Sequence, residues 1–459
     1  MSKEKILSIL NNKQILILGF GKEGKSTYRF LCEHIPYAII NIADKNAEAY
    51  DSEIIQEKHR FLSGNDYLNH IKSHDIIIKS PGISLKNHSH LIKNKTITSQ
   101  TDLFLRAYAK QCIGITGTKG KTTTASFIYH VLQKLHIPSL IAGNMGIPLF
   151  DILPQISEKD RIILELSSHQ LEFIQKSPSI SLLLNLFEEH LDHYHSFYDY
   201  QLAKLNIASY QQNEDIFIYN TSDSLINEHL KKAAYIAQRK GFSYYPHPHS
   251  VCYIKENQFV FKPQEEEIFL FELNHNFPLK GKHNIQNCCA GLLAVLLAEN
   301  ISDYKLLKEA FYSFQSLPHR LEYVATINGV AFYNDSISTI PQATLAALEA
   351  IDNVNTLILG GMDRGIDYSS LVHVFIHSNV EHFIFTGKAG ERMMKLCDFP
   401  LHKKFYFSND YKEIIAIAQK HTRQGCSCLL SPAAPSYDAF KNFEERGDVF
   451  KQYVLLLQK

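Results

Sequence analysis

Residues 114–123 read Gly114-Ile115-Thr116-Gly117-Thr118-Lys119-Gly120-Lys121-Thr122-Thr123. Glycines in a turn between a strand and a helix let backbone N–H groups point at phosphate oxygens, and the helix N-terminus adds its positive dipole end. In such a loop Lys121 reaches the β- and γ-phosphates of a nucleotide, and the Thr122 hydroxyl sits on Mg2+. The usual pattern has a glycine where this chain has Ile115. An apolar strand at 112–115 and a helical pattern at 124–135 supply the context that separates this loop from a chance Gly-Lys-Thr.

A second glycine turn, Gly19-Phe20-Gly21-Lys22-Glu23-Gly24, follows the apolar run 14–18. Alone it has three readings. It is a dinucleotide site with Asp44 on the ribose, a phosphate-binding turn of another kind, or simply a tight turn. The cluster His190, His193 and His195 invites a zinc reading, but no cysteine is near and the spacing fits no structural zinc pattern.

These loops need strands to hold them. The order strand, glycine turn, helix recurs, with strands at 14–18, 38–42 and 75–79, an amphipathic helix at 26–32, and a stop at Pro81-Gly82. It restarts near 112, and again after 320 with strands at 357–359, 383–385 and 428–430. Alternation of this kind predicts doubly wound parallel sheets with sites at strand carboxyl ends. The 459 residues, at roughly 150 per domain, also suggest three domains. The expected fold class is α/β: an N-terminal Rossmann-like domain over 1–108, a central P-loop ATPase-like α/β domain over 109–315, and a C-terminal Rossmann-like domain over 316–459. The stretch 243–264, with Tyr, His and Pro clusters, reads as irregular or β-rich.

Composition narrows the classes. Lys plus Arg and Asp plus Glu are both 47, so there is no basic excess of the kind nucleic-acid binders carry. No apolar run approaches the ~18 residues of a membrane span, and the start of the chain lacks a signal-peptide core. The expectation is a cytoplasmic protein that binds no nucleic acid and does not insert into a membrane. The eight cysteines form no CxxC pair and read as reduced, mostly buried side chains; the pair Cys426 and Cys428 precedes Leu429-Leu430 and reads as a buried strand.

Further motifs follow the P-loop in a fixed order. They are Glu165-Leu166-Ser167-Ser168-His169-Gln170-Leu171-Glu172, Glu188-Glu189-His190-Leu191-Asp192, Lys204, and His283-Asn284-Ile285-Gln286-Asn287. Then come Leu317-Pro318-His319-Arg320, Asn334-Asp335-Ser336, and the run from Ser431 to Gly447. Together they resemble the peptidoglycan Mur ligase family over essentially the whole chain, and within it the glutamate-adding branch.

The resemblance implies an ATP-dependent amide ligase that acts through an acyl phosphate, with UDP-N-acetylmuramoyl-L-alanine and glutamate as substrates and a monomer as the working form. It implies catalytic roles for Lys121, Glu165, His190 and Lys204. Gly117, Thr118, Lys119, Gly120, Lys121, Thr122, Thr123, Asn284, Asn287, Arg320 and Asp335 would bind ATP. Gly19, Gly21, Gly24, Asp44, Ser80 and Asn144 would hold the UDP substrate. Mg2+ would be held by Thr122, Glu165, His190 and Lys204 as a carbamate; an imidazole suits Mn2+ as well. A surface lysine remains the other reading of Lys204, and a helix N-cap that of Asp335.

The amino-acid pocket departs from the family pattern. Ile337 stands where a lysine is expected, and Arg364 where another lysine should meet the glutamate carboxylate. Thr339, Arg364, Ser436 and Phe443 are the expected glutamate contacts. The resemblance favours D-glutamate, with L-glutamate the alternative those departures raise and another Mur- or folylpolyglutamate-type ligase a further one.

Overall fold

The computed structural model describes residues 2–458 apart from 234, 275, 276, 278, 300, 302 and 397–400. Three sheets organise the chain. The first holds β1 (Ile15–Leu18), β2 (Ile40–Asp44), β3 (Arg60–Ser63), β4 (Ile76–Lys79) and β5 (Thr96–Thr98), all parallel, in the order β3-β2-β1-β4-β5. The residues of β1 and β4 are all buried, as continuous apolar runs covered on both faces must be. The strand order reverses at β1 and β4, so the ligand crevice of this sheet lies above their carboxyl ends.

The second sheet contains β6 (Cys112–Thr116), β7 (Ser139–Gly143), β8 (Arg161–Glu165), β9 (Ile180–Leu183), β10 (Ile216–Asn220) and β11 (Gln238–Phe242). It is extended by β12 (Ser250–Lys255), β13 (Gln258–Phe261) and β14 (Ile268–Glu272), in the order β14-β13-β12-β11-β10-β9-β6-β8-β7. The stretch 243–264 is thus β-rich: β12 and β13 pair antiparallel around Glu256 and Asn257, both at positive φ, the geometry of a primed hairpin turn. β6, which feeds the P-loop, lies between β8 and β9.

The third sheet holds β15 (Glu322–Ile327), β16 (Val330–Asn334), β17 (Val354–Gly360), β18 (His382–Thr386), β19 (Lys404–Phe407) and β20 (Ser427–Leu430), ordered β15-β16-β20-β17-β18-β19. Cys428 is buried in β20, and the seven described cysteines are free thiols; Cys397 lies outside the described residues. By internal contacts the chain forms two compact units, one of residues 1–274 with 286–313 and one of 275–285 with 314–459. The first unit contains the first two sheets. Across them Ser26 Oγ donates to Asp151 at 2.6 Å, and Gln100 Oε1 accepts from the Leu149 N–H at 2.8 Å.

Candidate functional site

The helix Lys121–Lys134 starts at Lys121 rather than at 124, because Gly120 takes φ +87° and turns the chain directly into it. Lys121, Thr122 and Thr123 therefore occupy the first helical turn, where backbone N–H groups lack helical acceptors. A side chain at Gly120 would come within 2.6 Å of the Asn287 carboxamide, so a glycine is required and Asn287 lies against the loop. The Lys121 amine donates to the carbonyls of Gly117 and Thr118, each at 3.0 Å. Lys119 is held aside by Asn185, which accepts from its N–H, and by a 2.7 Å ion pair with Glu189. The Thr118 hydroxyl is buried against Tyr200 and accepts from the Phe187 N–H at 2.9 Å.

Glu165 ends β8 beside the loop and is almost fully buried. Its Oε1 accepts from the Asn144 amide at 2.9 Å, while Oε2 is buried with no partner among the described residues. An orphaned carboxylate oxygen beside a phosphate loop suits a hard cation. Among the described residues no three His, Cys, Asp or Glu side chains form a ready metal cluster.

Lys204 is not a surface lysine. It sits on the helix Phe197–Ser209, is 2% exposed, and donates to the Gly117 carbonyl at 2.9 Å. The Ser196 hydroxyl caps that helix by accepting from the Asp199 N–H. Burial, and then the neighbouring Lys121 cation, hold the Lys204 amine well below its ordinary pKa, which favours the neutral amine.

His190 is exposed and adopts φ +60° in the turn before that helix. Its ring lies 4.7 Å from that of His169, which is 4.1 Å from His193. Burial and the adjacent His193 lower the His169 pKa to about 3. His193 Nε2 lies 3.1 Å from Glu172, and Lys79 is 3.3 Å from the same carboxylate oxygen.

In the first sheet, Gly19 has φ +94°, and a Cβ on Gly24 would collide with the Gly19 carbonyl. Ser80 Oγ donates to that carbonyl at 2.9 Å. Gly21, between them, faces open space. Asp44, expected to face a uridine, spends both oxygens on the backbone: Oδ2 accepts from Phe20 N–H at 2.7 Å and Oδ1 from Asn46 N–H at 2.8 Å. It fastens the glycine turn to the end of β2. A cavity of about 370 Å3 opens next to it, lined by Lys45, Asn65, Asp66, Tyr67 and His88 among others.

In the second unit, Asp335 follows β16 and is no helix cap, since the next helix, Pro341–Ala350, is preceded by Ile340. Its carboxylate is buried and accepts from the Leu321 N–H at 3.2 Å and from the hydroxyls of Ser338 and Ser431. Burial raises its pKa to about 7, against those hydrogen bonds and the nearby Arg320. Asn284 donates to the Lys280 carbonyl at 2.7 Å. A cavity of about 620 Å3 opens above β17, β18 and β20, lined by Gly361, Asp363, Lys388, Asn409, Ser436 and Arg446 among others. Ser436 is the one expected glutamate contact in its wall. Arg364 is exposed over the Tyr437 ring, Thr339 lies in the loop after β16, and Phe443 packs on His319 at 6.1 Å. The structure therefore does not gather all four expected residues into that one cavity.

Several residues carry more of the arrangement than their place in the sequence suggests. Arg446 is buried and ties Ser336, through both its hydroxyl and its carbonyl, to the Ala434 carbonyl. Its place inside the Ser431–Gly447 motif was the available signal. Lys79, Tyr200 and Asn185 were missed too, and Glu172 was named only as the end of the Glu165–Glu172 motif; a lysine closing the run Ile76–Lys79 is a further local hint.

A P-loop on a parallel sheet, a buried carboxylate beside it and a desolvated lysine under it define a phosphate-handling α/β protein. The model for the Mur ligase middle domain matches residues 115–295, and that for the Mur ligase MurD-like N-terminal domain matches 13–97. The chain belongs to the Mur ligase family. It is 32% identical to UDP-N-acetylmuramoylalanine--D-glutamate ligase of Geotalea uraniireducens, covering 97% of this chain and 98% of that protein. It is 31% identical to the protein of that name in Clostridium kluyveri, over 96% of both. Among solved structures it resembles MurF from Acinetobacter baumannii, with TM-score 0.60, 17% identity, and 97% and 90% of the two chains covered. MurF ligase from Thermotoga maritima in complex with ADP gives TM-score 0.58 at 15% identity, covering 96% and 95%. The last two support the three-sheet α/β fold.

Proposed function

We propose that the protein is an ATP-dependent ligase that joins D-glutamate to UDP-N-acetylmuramoyl-L-alanine in peptidoglycan precursor synthesis. The near-complete alignment to relatives of that name supports the substrates. The observation that carries the chemistry is the meeting of Lys121 and Lys204 on the Gly117 carbonyl, with Glu165 and Asn144 joined beside them.

A carboxylate oxygen of the alanyl group attacks the γ-phosphorus of ATP, and the bond from that phosphorus to the β-bridging oxygen breaks, releasing ADP. The glutamate amine then attacks the acyl carbon and loses a proton. The C–O bond breaks, and inorganic phosphate leaves. Both steps bring anions together, so positioning and charge neutralisation dominate. Lys121 leaves its loop carbonyls for the γ-phosphate, the first-turn N–H groups hold the β-phosphate, and Asn144 orients the alanyl carboxylate. Thr122, Glu165, His190 and a Lys204 carbamate would hold Mg2+ or Mn2+, which when bound offsets phosphate charge. The Gly19–Gly24 turn takes the pyrophosphate, and the cavity beside Asp44 takes the base. Asn284, Asn287, Arg320 and Asp335 serve ATP, and Arg364, Thr339, Ser436 and Phe443 serve glutamate. The domains divide at 1–108, 109–315 and 316–459. No described helix is long and apolar enough to cross a membrane. A cytoplasmic monomer is the working form that this proposal takes, as expected for a ligase of precursor synthesis.

Ile337 and Arg364 favour a second reading, the same ligation with L-glutamate. Phosphate release from ATP with UDP-N-acetylmuramoyl-L-alanine, compared for D-glutamate, L-glutamate and no amino acid, decides between them. Release with neither would refute both.

A further inference from the structure

The side chains that join the first glycine turn to the His190 turn have no part in the chemistry above. Lys79 ends β4 at the crevice of the first sheet and is 2% exposed. Its amine lies 3.3 Å from Glu172 Oε2, and that oxygen lies 3.1 Å from His193 Nε2. Toward the glycine turn, Lys79 donates to the Ser80 carbonyl at 3.4 Å and Ser80 Oγ to the Gly19 carbonyl at 2.9 Å; the buried Glu23 carboxyl, its pKa raised to about 7 by desolvation, also feels the Lys79 charge. Glu23 Oε1 is buried without a partner among the described residues.

Two further links run alongside. Ser84 Oγ donates to the His193 carbonyl at 3.1 Å, and Lys86 Nζ to the Leu191 carbonyl at 3.0 Å. All these contacts reach residues 190–193, where His193 N–H donates to the His190 carbonyl at 3.0 Å and His190 itself sits at φ +60°. A non-glycine residue keeps that backbone region only when its surroundings hold it there. A buried cation paired with a carboxylate seldom gains net stability over apolar packing, and its better-attested use is to fix a register.

We propose that Lys79 is a positioning residue: through Glu172 and His193 it ties the seat of the substrate's pyrophosphate to the turn that presents His190. This rests on the reading of the Gly19–Gly24 turn and of His190 given above. The substrate spans both places, with its nucleotide end on the first turn and its reacting carboxylate near His190. One cation, paired with Glu172 and followed in the chain by Ser80, whose hydroxyl holds the Gly19 carbonyl, keeps the two seats in fixed relation. Outer partners of a liganding histidine act in this way by fixing its orientation rather than by touching the reactants.

The test uses Lys79→Met and Glu172→Gln, each removing one charge at nearly constant size, so that either suffices if the other does not fold. Hydrogen exchange is read first on the protein without ligand or metal. Exchange across residues 188–194 should accelerate clearly in both variants, while strand β6 and the P-loop stay as in the wild type. Unchanged exchange at 188–194 would overturn the proposal, whatever the substrate is. With substrates, kcat should fall by about tenfold and the Mg2+ needed for half-maximal rate should rise similarly. KM for UDP-N-acetylmuramoyl-L-alanine should stay within about threefold, and Lys79→Arg should recover part of kcat. A loss confined to that KM would overturn the proposal by making Lys79 a substrate contact. A wild type without ligation would sink the functional reading and leave the exchange result standing.

Discussion

The side-chain nitrogen of Lys204 donates to the Gly117 carbonyl at 2.9 Å, the same oxygen that accepts from Lys121 at 3.0 Å. A helix far along the chain thus places an amine beneath the phosphate loop. Two ammonium groups this close and this buried repel, and the more deeply buried one favours the neutral form. A neutral amine is what carbon dioxide needs to form a carbamate.

Lys204 is therefore expected to be carbamylated in the active enzyme. Lys204→Ala should be nearly inactive, and a short-chain carboxylic acid in solution should restore part of the rate. Labelled carbon dioxide should give a carbamate carbon signal in the wild type that is missing in the variant. Full activity of Lys204→Ala would refute this role.

Lys121→Ala should lower kcat by about 10²- to 10³-fold or more, the scale of one lost preorganised charge at a reacting centre. Its amine donates to two loop carbonyls, Gly117 and Thr118, and circular dichroism and melting temperature of the variant should change little. Near-normal phosphate release by the folded variant would remove the P-loop from the mechanism.

Asp335 gives a pH signature. Burial raises its folded pKa to about 7, above the ordinary value of 3.8. The folded state then holds a proton that the unfolded state has released. This contribution to stability is complete below about pH 4 and fades as the pH climbs to about 7. Denaturant unfolding followed from pH 4 to pH 8 should show that loss, and Asp335→Asn should flatten it. An identical slope in the variant would assign the pH dependence elsewhere.

Arg364 is exposed over Tyr437, free to meet a carboxylate in two-pronged fashion. Arg364→Ala should raise the glutamate KM by about tenfold or more while the ATP KM stays near the wild-type value, as for loss of a charged hydrogen bond. Arg364→Lys should recover only part, since a point charge cannot reproduce the fork. An unaltered glutamate KM in Arg364→Ala would place the amino acid on another loop.

Much of the fold was legible because parallel strands announce themselves as short apolar runs ending in glycine turns, as at Ile15–Leu18 and Cys112–Thr116. The P-loop was legible for the same reason: its working parts are contiguous. Glu165 and Lys204 could be proposed from ordered motifs, yet their burial could not, because it depends on β6, β8 and the helix Phe197–Ser209 meeting in space. Asp44 was read as a ligand contact because an acidic residue after the second strand fits that role. Its two backbone partners, Phe20 and Asn46, show that it also braces the turn, which the sequence does not announce. Lys79 with Glu172, and Arg446 with Ser336, are distant in sequence and join only when sheets and loops pack.

The central claim is that the alanyl carboxylate is phosphorylated by ATP and then taken by glutamate. The direct measurement is to label that carboxylate of UDP-N-acetylmuramoyl-L-alanine with oxygen-18, run one round of ligation with D-glutamate, and weigh the phosphate released. The acyl-phosphate route predicts phosphate carrying one atom of the heavy isotope, because the attacking oxygen leaves with phosphorus when the amide forms. Phosphate free of label, alongside normal product, would contradict it.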